Sequence, residues 1–285
     1  MQLSFMTVSI PIDTETMDEI KGLLEEVKEN YTSLLSIDGL MDSFLKGFCV
    51  LVYDDEKDKL VGVLTASDRM ATGDYEWSSF VSPSVRRQGI GQRLLMELNH
   101  ELEIRGAAYD LALVFEEGKA GQHLLRKNGY FHDFSERTMI ADANVDFVLN
   151  DVEILLFDKE ESEVVAVLVN AFGDSEDEAK EMIAFTTATA NRRLMIAKLE
   201  GKIVGTVSII EETDKLWITG LAVHETARGQ GVATAILNWS KKEAFDLGKA
   251  HVYLDVETDN DKALSLYEKV GFQLINHTKF YTKHR

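Results

Sequence analysis

The chain has 285 residues, 45% of them hydrophobic, and a formal charge of −19 from 30 Lys and Arg against 49 Asp and Glu. A chain of that length suits two domains of about 100–200 residues better than one. Charge of that sign repels nucleic acid and draws in small cations, although acidity also serves plain solubility.

The opening residues, MQLSFMTVSIPIDTETMDEI, carry no basic leader and no sustained apolar stretch, and no apolar run of 18 residues occurs anywhere. The expectation is a cytoplasmic protein without a membrane partner, acting as a monomer or homodimer. Cys49, the only cysteine, sits in the apolar run GFCVLVY and reads as a buried strand residue, so no disulfide forms within the chain. Asp54 to Lys59 reads as a hairpin, and residues 81–95, VSPSVRRQGIGQRLL, pass through a glycine loop into a helix. In the second half, residues 152–157 read as a strand, 161–171 and about 175–188 as helices. Strands 193–199 and 202–210 follow, turning at Glu200 and Gly201 as a hairpin. Strand 216–223, a second glycine loop, a helix through Gly248, strand 251–256 and helix 261–271 complete a mixed sheet with helices on it.

The two glycine loops belong to a repeat. At an offset of 142, Arg86, Gln88 and Gly89 fall on Arg228, Gln230 and Gly231, Gly129 falls on Gly271, and Tyr75 on Trp217. Matches kept in the same order indicate two copies of one fold joined near residues 140–150, with domains 1–142 and 143–285. Both copies are acidic, with 14 Lys and Arg against 25 Asp and Glu in the first and 16 against 24 in the second. Neither offers a basic face for nucleic acid.

Gly229 and Gly231 admit positive φ and put no Cβ between backbone and ligand, the helix behind them presents its positive end, and Arg228 adds a charge. Together these make a phosphate site. A Walker loop would need Gly-Lys-Ser/Thr, and a dinucleotide turn would need Gly-x-Gly-x-x-Gly or Ala directly after a strand. Here HETA intervenes after LAV, and both copies read Arg-x-x-Gly-x-Gly/Ala instead.

That pattern, after a LAV-like strand and before a helix, resembles the acetyl-CoA signature of the GCN5-related N-acetyltransferases, the GNAT superfamily. DVETDNDKALSLYEKVGF, residues 255–272, resembles the second motif of that family, Asn-x-x-Ala-x-x-Leu-Tyr-x-x-x-Gly-Phe. The resemblance implies two tandem α/β GNAT folds and acetyl-CoA as cosubstrate, with no metal. It implies that the backbone of Leu221, Ala222 and Val223 pairs with the pantetheine arm. It further implies that Arg228, Gly229, Gln230, Gly231, Val232, Ala233 and Thr234 hold the pyrophosphate, Asn260 bonds the pantetheine, and Tyr267 protonates the leaving thiolate. Asn260, Ala263 or Leu264, and Tyr267 fall on one helix face.

An amine with a pKa near 10 must lose a proton before attacking a thioester. Glu257, Glu211 and Glu212 are candidate bases, and a water relay is another route. In the first copy Asn260 becomes Gly118 and Tyr267 becomes Leu125, so that half is expected to be noncatalytic, a scaffold and wall of the acceptor pocket, with a second CoA site at the Arg86–Gly91 loop as the alternative. The expected function is acetyl transfer from acetyl-CoA to the primary amine of a small molecule, by direct attack in a ternary complex. A noncatalytic acetyl-CoA-binding regulatory module, and acetylation of a protein or peptide amine, are the alternatives. Residues 12–46 and 160–190, expected to shape the acceptor site, carry no signature that names the acceptor.

Overall fold

The computed structural model describes residues 2–26, 34, 35, 37–144 and 151–284. Parts of the expected junction, 145–150, and of the first acceptor-shaping segment, 27–33 and 36, lie outside the described residues. The chain forms two compact units, Met1–Ser135 with His277–Arg285, and Glu136–Asn276. A single cut after residue 142 divides the chain once. These units divide it at two places, because two strands each begin in one unit and end in the other.

In the first unit, β1 (Leu3–Ser9), β2 (Lys46–Asp54), β3 (Lys59–Asp68) and β4 (Asp74–Val81) pair antiparallel in order, and β4 runs parallel to β5 (Tyr109–Phe115). The expected hairpin is present, with Asp54 opposite Lys59. Strand β2 is buried on both faces. Phe48, Val50 and Val52 pack with α2 (Ile90–Ile104) and with Leu125 of α3 (Lys119–Lys127), whereas Cys49 and Leu51 pack under α1 (Thr14–Leu24). Burial pushes the Cys49 thiol up to about 12, so it stays protonated and unreactive at neutral pH.

The second unit repeats the plan. Strands β7 (Val152–Leu156), β8 (Arg192–Leu199), β9 (Lys202–Glu211) and β10 (Lys215–Val223) pair antiparallel, and β10 runs parallel to β11 (His251–Glu257). The β8–β9 turn uses Glu200 at φ 51° and Gly201 at φ 77°, the positive angles a two-residue hairpin needs. Helices α4 (Glu161–Phe172) and α5 (Glu176–Ala188) pack on Leu194, Ile196 and Ala222 on one face. Ser175 and Glu178 close a capping box at the start of α5. On the other face α6 (Val232–Asp246) and α7 (Asp261–Val270) cover Val207, Ile209, Ile218 and Leu254.

The strand next to β5 in the first unit and the strand next to β11 in the second each come from the other repeat. β6 (Phe131–Asp142) follows α3, yet its residues 136–142 pair antiparallel with β11 in the second unit. β12 (Gln273–Thr282) follows α7, yet Thr278–Thr282 pair with β5 in the first. Among the described residues no helix is long and apolar enough to cross a membrane.

Candidate active site

In the second unit β10 and β11 are paired only through Ile218 and Leu254, and from there the strands separate. The edge of β10 that faces β11 is thereby released over Thr219–Val223, which includes Leu221, Ala222 and Val223. A released edge can accept an extended ligand as an added strand. On its other side β10 carries a bulge: Thr219 lies opposite Ser208 and Ala222 opposite Thr206, so Gly220 and Leu221 together oppose the single residue Val207. Gly220 sits at φ 58°, which a residue with a Cβ adopts only under strain. An isolated glycine inside LWITGLAV is the sequence signal for such a bulge, and Gly220 was not among the expected site residues.

The phosphate loop follows at the end of β10. Gly229 (φ 76°) and Gly231 (φ 81°) both take left-handed conformations, and Gly231 caps α6 without a side-chain hydrogen bond. The first-turn amides of Val232, Ala233 and Thr234 have no acceptor within the helix, so with the helix dipole they form an anion seat. Arg228 Nε donates to the Val223 carbonyl at 3.4 Å, which holds the exposed guanidinium against the loop, and Gln230 Nε2 donates to Thr226 O at 2.9 Å. Loop, dipole and released edge fit a pantetheine diphosphate.

Asn260, an exposed residue, is the N-cap of α7, its Oδ1 accepting from Ala263 N at 3.2 Å. Tyr267, two turns on, packs against the core and the Phe272 ring, with centroids 6.0 Å apart, and burial raises its phenol above the usual value near 10. The nearly buried Lys241 of α6 donates to Val270 O at 3.0 Å and ties down the C-terminal end of that helix. The candidate bases are separated. Glu257 is exposed at the end of β11, beyond the point where the strands part. Glu211 pairs opposite Leu216, five residues before Leu221, or roughly 16 Å at the strand rise. Lys249 engages Glu211 at 3.3 Å, and Glu212 accepts from Trp217 Nε1 at 3.3 Å, so both sit at the end of β10 remote from the bulge.

The first unit keeps the loop and the strand separation and lacks the bulge, the amide and the phenol. Gly89 (φ 84°) caps α2, and Arg86 Nε donates to Val81 O at 3.0 Å, as Arg228 does in its own copy. Strands β4 and β5 part after Trp77 and Ala112, but β4 runs alongside β3 from Glu76 to Val81 without a register shift. A Cβ on Gly118 would lie 2.8 Å from Val114 Cγ2, because α3 packs hard against β5, and Leu125 is buried. Even so, a cavity of about 730 Å³ opens here, its lining including Arg86, Arg87, Gly89, Lys119, Lys127 and Trp77.

A model of the Acetyltransferase (GNAT) family matches residues 17–130 and again residues 156–272. The chain belongs to this family. Its fold is similar to a GCN5-related N-acetyltransferase from Sphaerobacter thermophilus, 16% identical, with a TM-score of 0.73 over 97% of this chain and 95% of that one. It is also similar to a tandem GNAT protein from the clavulanic acid biosynthesis pathway, 15% identical, with a TM-score of 0.71 over 99% and 98%. A GNAT-family acetyltransferase from Colwellia psychrerythraea aligns over 99% and 100% at 15% identity, with a TM-score of 0.61. At these identities the likeness is one of fold. The protein is thus a tandem GNAT chain of mixed α/β structure, from a family whose chemistry is acetyl transfer and whose general donor is acetyl-CoA.

Proposed function

We propose that the second unit transfers an acetyl group from acetyl-CoA to a primary amine of a small molecule by direct attack in a ternary complex. The observation that carries this reading is the bulge at Gly220 and Leu221, present in the second unit and absent from the first. A backbone N–H turned out of the ladder beside the strand opening is placed to bond a developing oxyanion, and such preorganised donors lower acyl-transfer barriers. The thioester supplies the acetyl carbon and a thiolate leaving group. Glu257, directly or through water, takes a proton from the ammonium; the amine forms the C–N bond, the C–S bond breaks, Tyr267 gives its proton to the sulfur, and the second proton that the acylated nitrogen sheds returns through water to Tyr267. Arg228 and the amides of residues 229–234 hold the pyrophosphate, and Asn260 holds the pantetheine amide.

A second reading, for the first unit, is supported by its cavity: Arg86, Arg87, Lys119 and Lys127 around a capped helix start suit a CoA phosphate that is held and not used. Titration of the full chain with acetyl-CoA tests both readings. Two sites are expected in the wild type and one in Gly231→Val, which blocks backbone approach in the second unit. Turnover is expected to disappear with Gly231→Val and to survive Arg86→Ala.

A further inference from the structure

We infer that the first unit binds an acyl-CoA whose acyl group is an apolar chain longer than acetyl, seated in the gap between β4 and β5; this deepens the reading of that unit as a CoA holder and rests on it. The two strands part after Trp77 and Ala112, and the cavity in that gap is lined by residues of both sheet faces. Trp77 and Val114 pack with the core under α2 and α3, whereas Phe80 packs with the core under α1. Leu113 and Phe115 alternate with Ala112 and Val114, so they project toward the α1 side. Trp77, Phe80, Leu113, Val114 and Phe115 all line the cavity, together with Leu34. The cavity therefore spans the gap instead of stopping at one face.

On the α1 side the wall of this gap is apolar where its counterpart in the other repeat is acidic. At the repeat offset of 142, Leu113 and Phe115 stand in the places of Asp255 and Glu257. The neighbouring strand agrees, since Phe280 lies opposite Leu113 and Thr138 opposite Asp255. The Phe280 ring stacks on Phe134 at a centroid distance of 4.3 Å, so the wall beside Leu113 continues as carbon. An ammonium group has no carboxylate to meet at Leu113 and Phe115, whereas an alkyl chain gains about fourfold in affinity for each methylene it buries. Ser78 stands in the place of Gly220, and its Oγ donates to the Leu113 carbonyl at 2.9 Å. A clip across the gap replaces the bulge, and the thioester is held without the backbone donor that the proposed transfer uses.

The other end of the site is cationic. Arg86, Arg87 and Lys127 line it, beside the start of α2 that Gly89 caps. Lys119 adds less, because Glu116 engages it at 3.1 Å, and Glu117 shares the lining. A cationic mouth in a chain of net charge −19 is a local reversal of the molecule's field. Residues 78–81 of β4 run from the clip to the loop, roughly 13 Å of strand past its last pairing with β5. The ligand that matches carries phosphates at one end and an alkyl chain at the other, joined by a linear arm that can bond a strand edge.

Calorimetric titration of the full chain carrying Gly231→Val, which leaves the first site to report alone, tests this with free CoA, acetyl-CoA, butyryl-CoA and hexanoyl-CoA. One site is expected, with affinity rising about fourfold per added methylene from acetyl-CoA to hexanoyl-CoA. Adding Gly89→Val is expected to remove binding of every one of these ligands. Adding Leu113→Phe instead, which fills the gap with carbon, is expected to keep the affinity for free CoA, which also reports folding, and to bind hexanoyl-CoA no more tightly than acetyl-CoA. The chain-length series on the unsubstituted cavity decides by itself if the Leu113 variant does not fold. Equal affinity for acetyl-CoA and hexanoyl-CoA in the Gly231→Val protein overturns the inference and leaves the CoA reading standing. A chain-length gain that survives Leu113→Phe, or that persists with Gly89→Val, places the chain elsewhere and overturns it as well. Binding of none of these ligands removes the CoA reading of the first unit, and the inference with it.

Discussion

In the proposed reaction Tyr267 is the acid, and the place of its ring suits that role. Burial disfavours the phenolate and raises the phenol above 10, so the proton is held throughout the neutral range. The acid form is lost only as pH rises through that raised value, so the wild-type rate is expected to fall at the alkaline end, and Tyr267→Phe to lose that decline. The same variant is expected to keep its acetyl-CoA affinity and lose about 10²- to 10⁴-fold in turnover with chemistry rate-limiting. A loss confined to KM would instead make Tyr267 a binding residue. The two loops were legible in the sequence because Arg-x-x-Gly-x-Gly/Ala states its own backbone requirement. The pairing of Leu113 with Phe280 was not, because it depends on which strand lies beside β5 and in what register.

Strand partnership is the feature at the element scale that hydrophobic pattern does not encode. Residues 131–142 and 273–282 each follow the last helix of a repeat, yet residues 136–142 pair with β11 and residues 278–282 with β5. The elements themselves, from the Glu200–Gly201 hairpin to the helices after each loop, follow from local periodicity and turn chemistry, which is why their order was readable. The exchange predicts different behaviour for two fragments. Residues 136–276 are expected to give a cooperative melt, whereas residues 143–285 leave the β11 edge bare and strand 278–282 without a partner, and are expected to aggregate. Light scattering and circular dichroism distinguish the two. Glu116 anchors the incoming strand: its amide donates to His277 O at 2.8 Å, and its carboxylate meets Lys279 at 2.7 Å. The Lys279 hydrogen bond, helped by Lys119, holds Glu116 down to about 2. A lowered folded value means that this stabilisation is complete above pH 4.5 and is lost as pH falls toward 2. Lys279→Met is expected to lower Tm at neutral pH and to converge on the wild type in acid.

At the scale of the whole molecule, the proposed function assigns transfer to one repeat and gives the net charge a part in drawing in the acceptor. With −19 spread over both copies, cationic amines are drawn in from a distance, so raising ionic strength from about 0.01 to 1 M is expected to raise the amine KM and leave kcat unchanged. A salt-independent KM would assign the acidity to solubility alone. One repeat keeps the bulge, Asn260 and Tyr267; the other keeps its loop and a 730 Å³ cavity. The central claim, that transfer belongs to the second unit, is tested most directly by single-turnover acetylation of a panel of small primary amines by the full-length chain carrying either Tyr267→Phe with Asn260→Ala, or Arg86→Ala. The expected result is a rate near zero in the first protein and close to wild type in the second. A rate that survives the double substitution and disappears with Arg86→Ala would place the working site in the first unit.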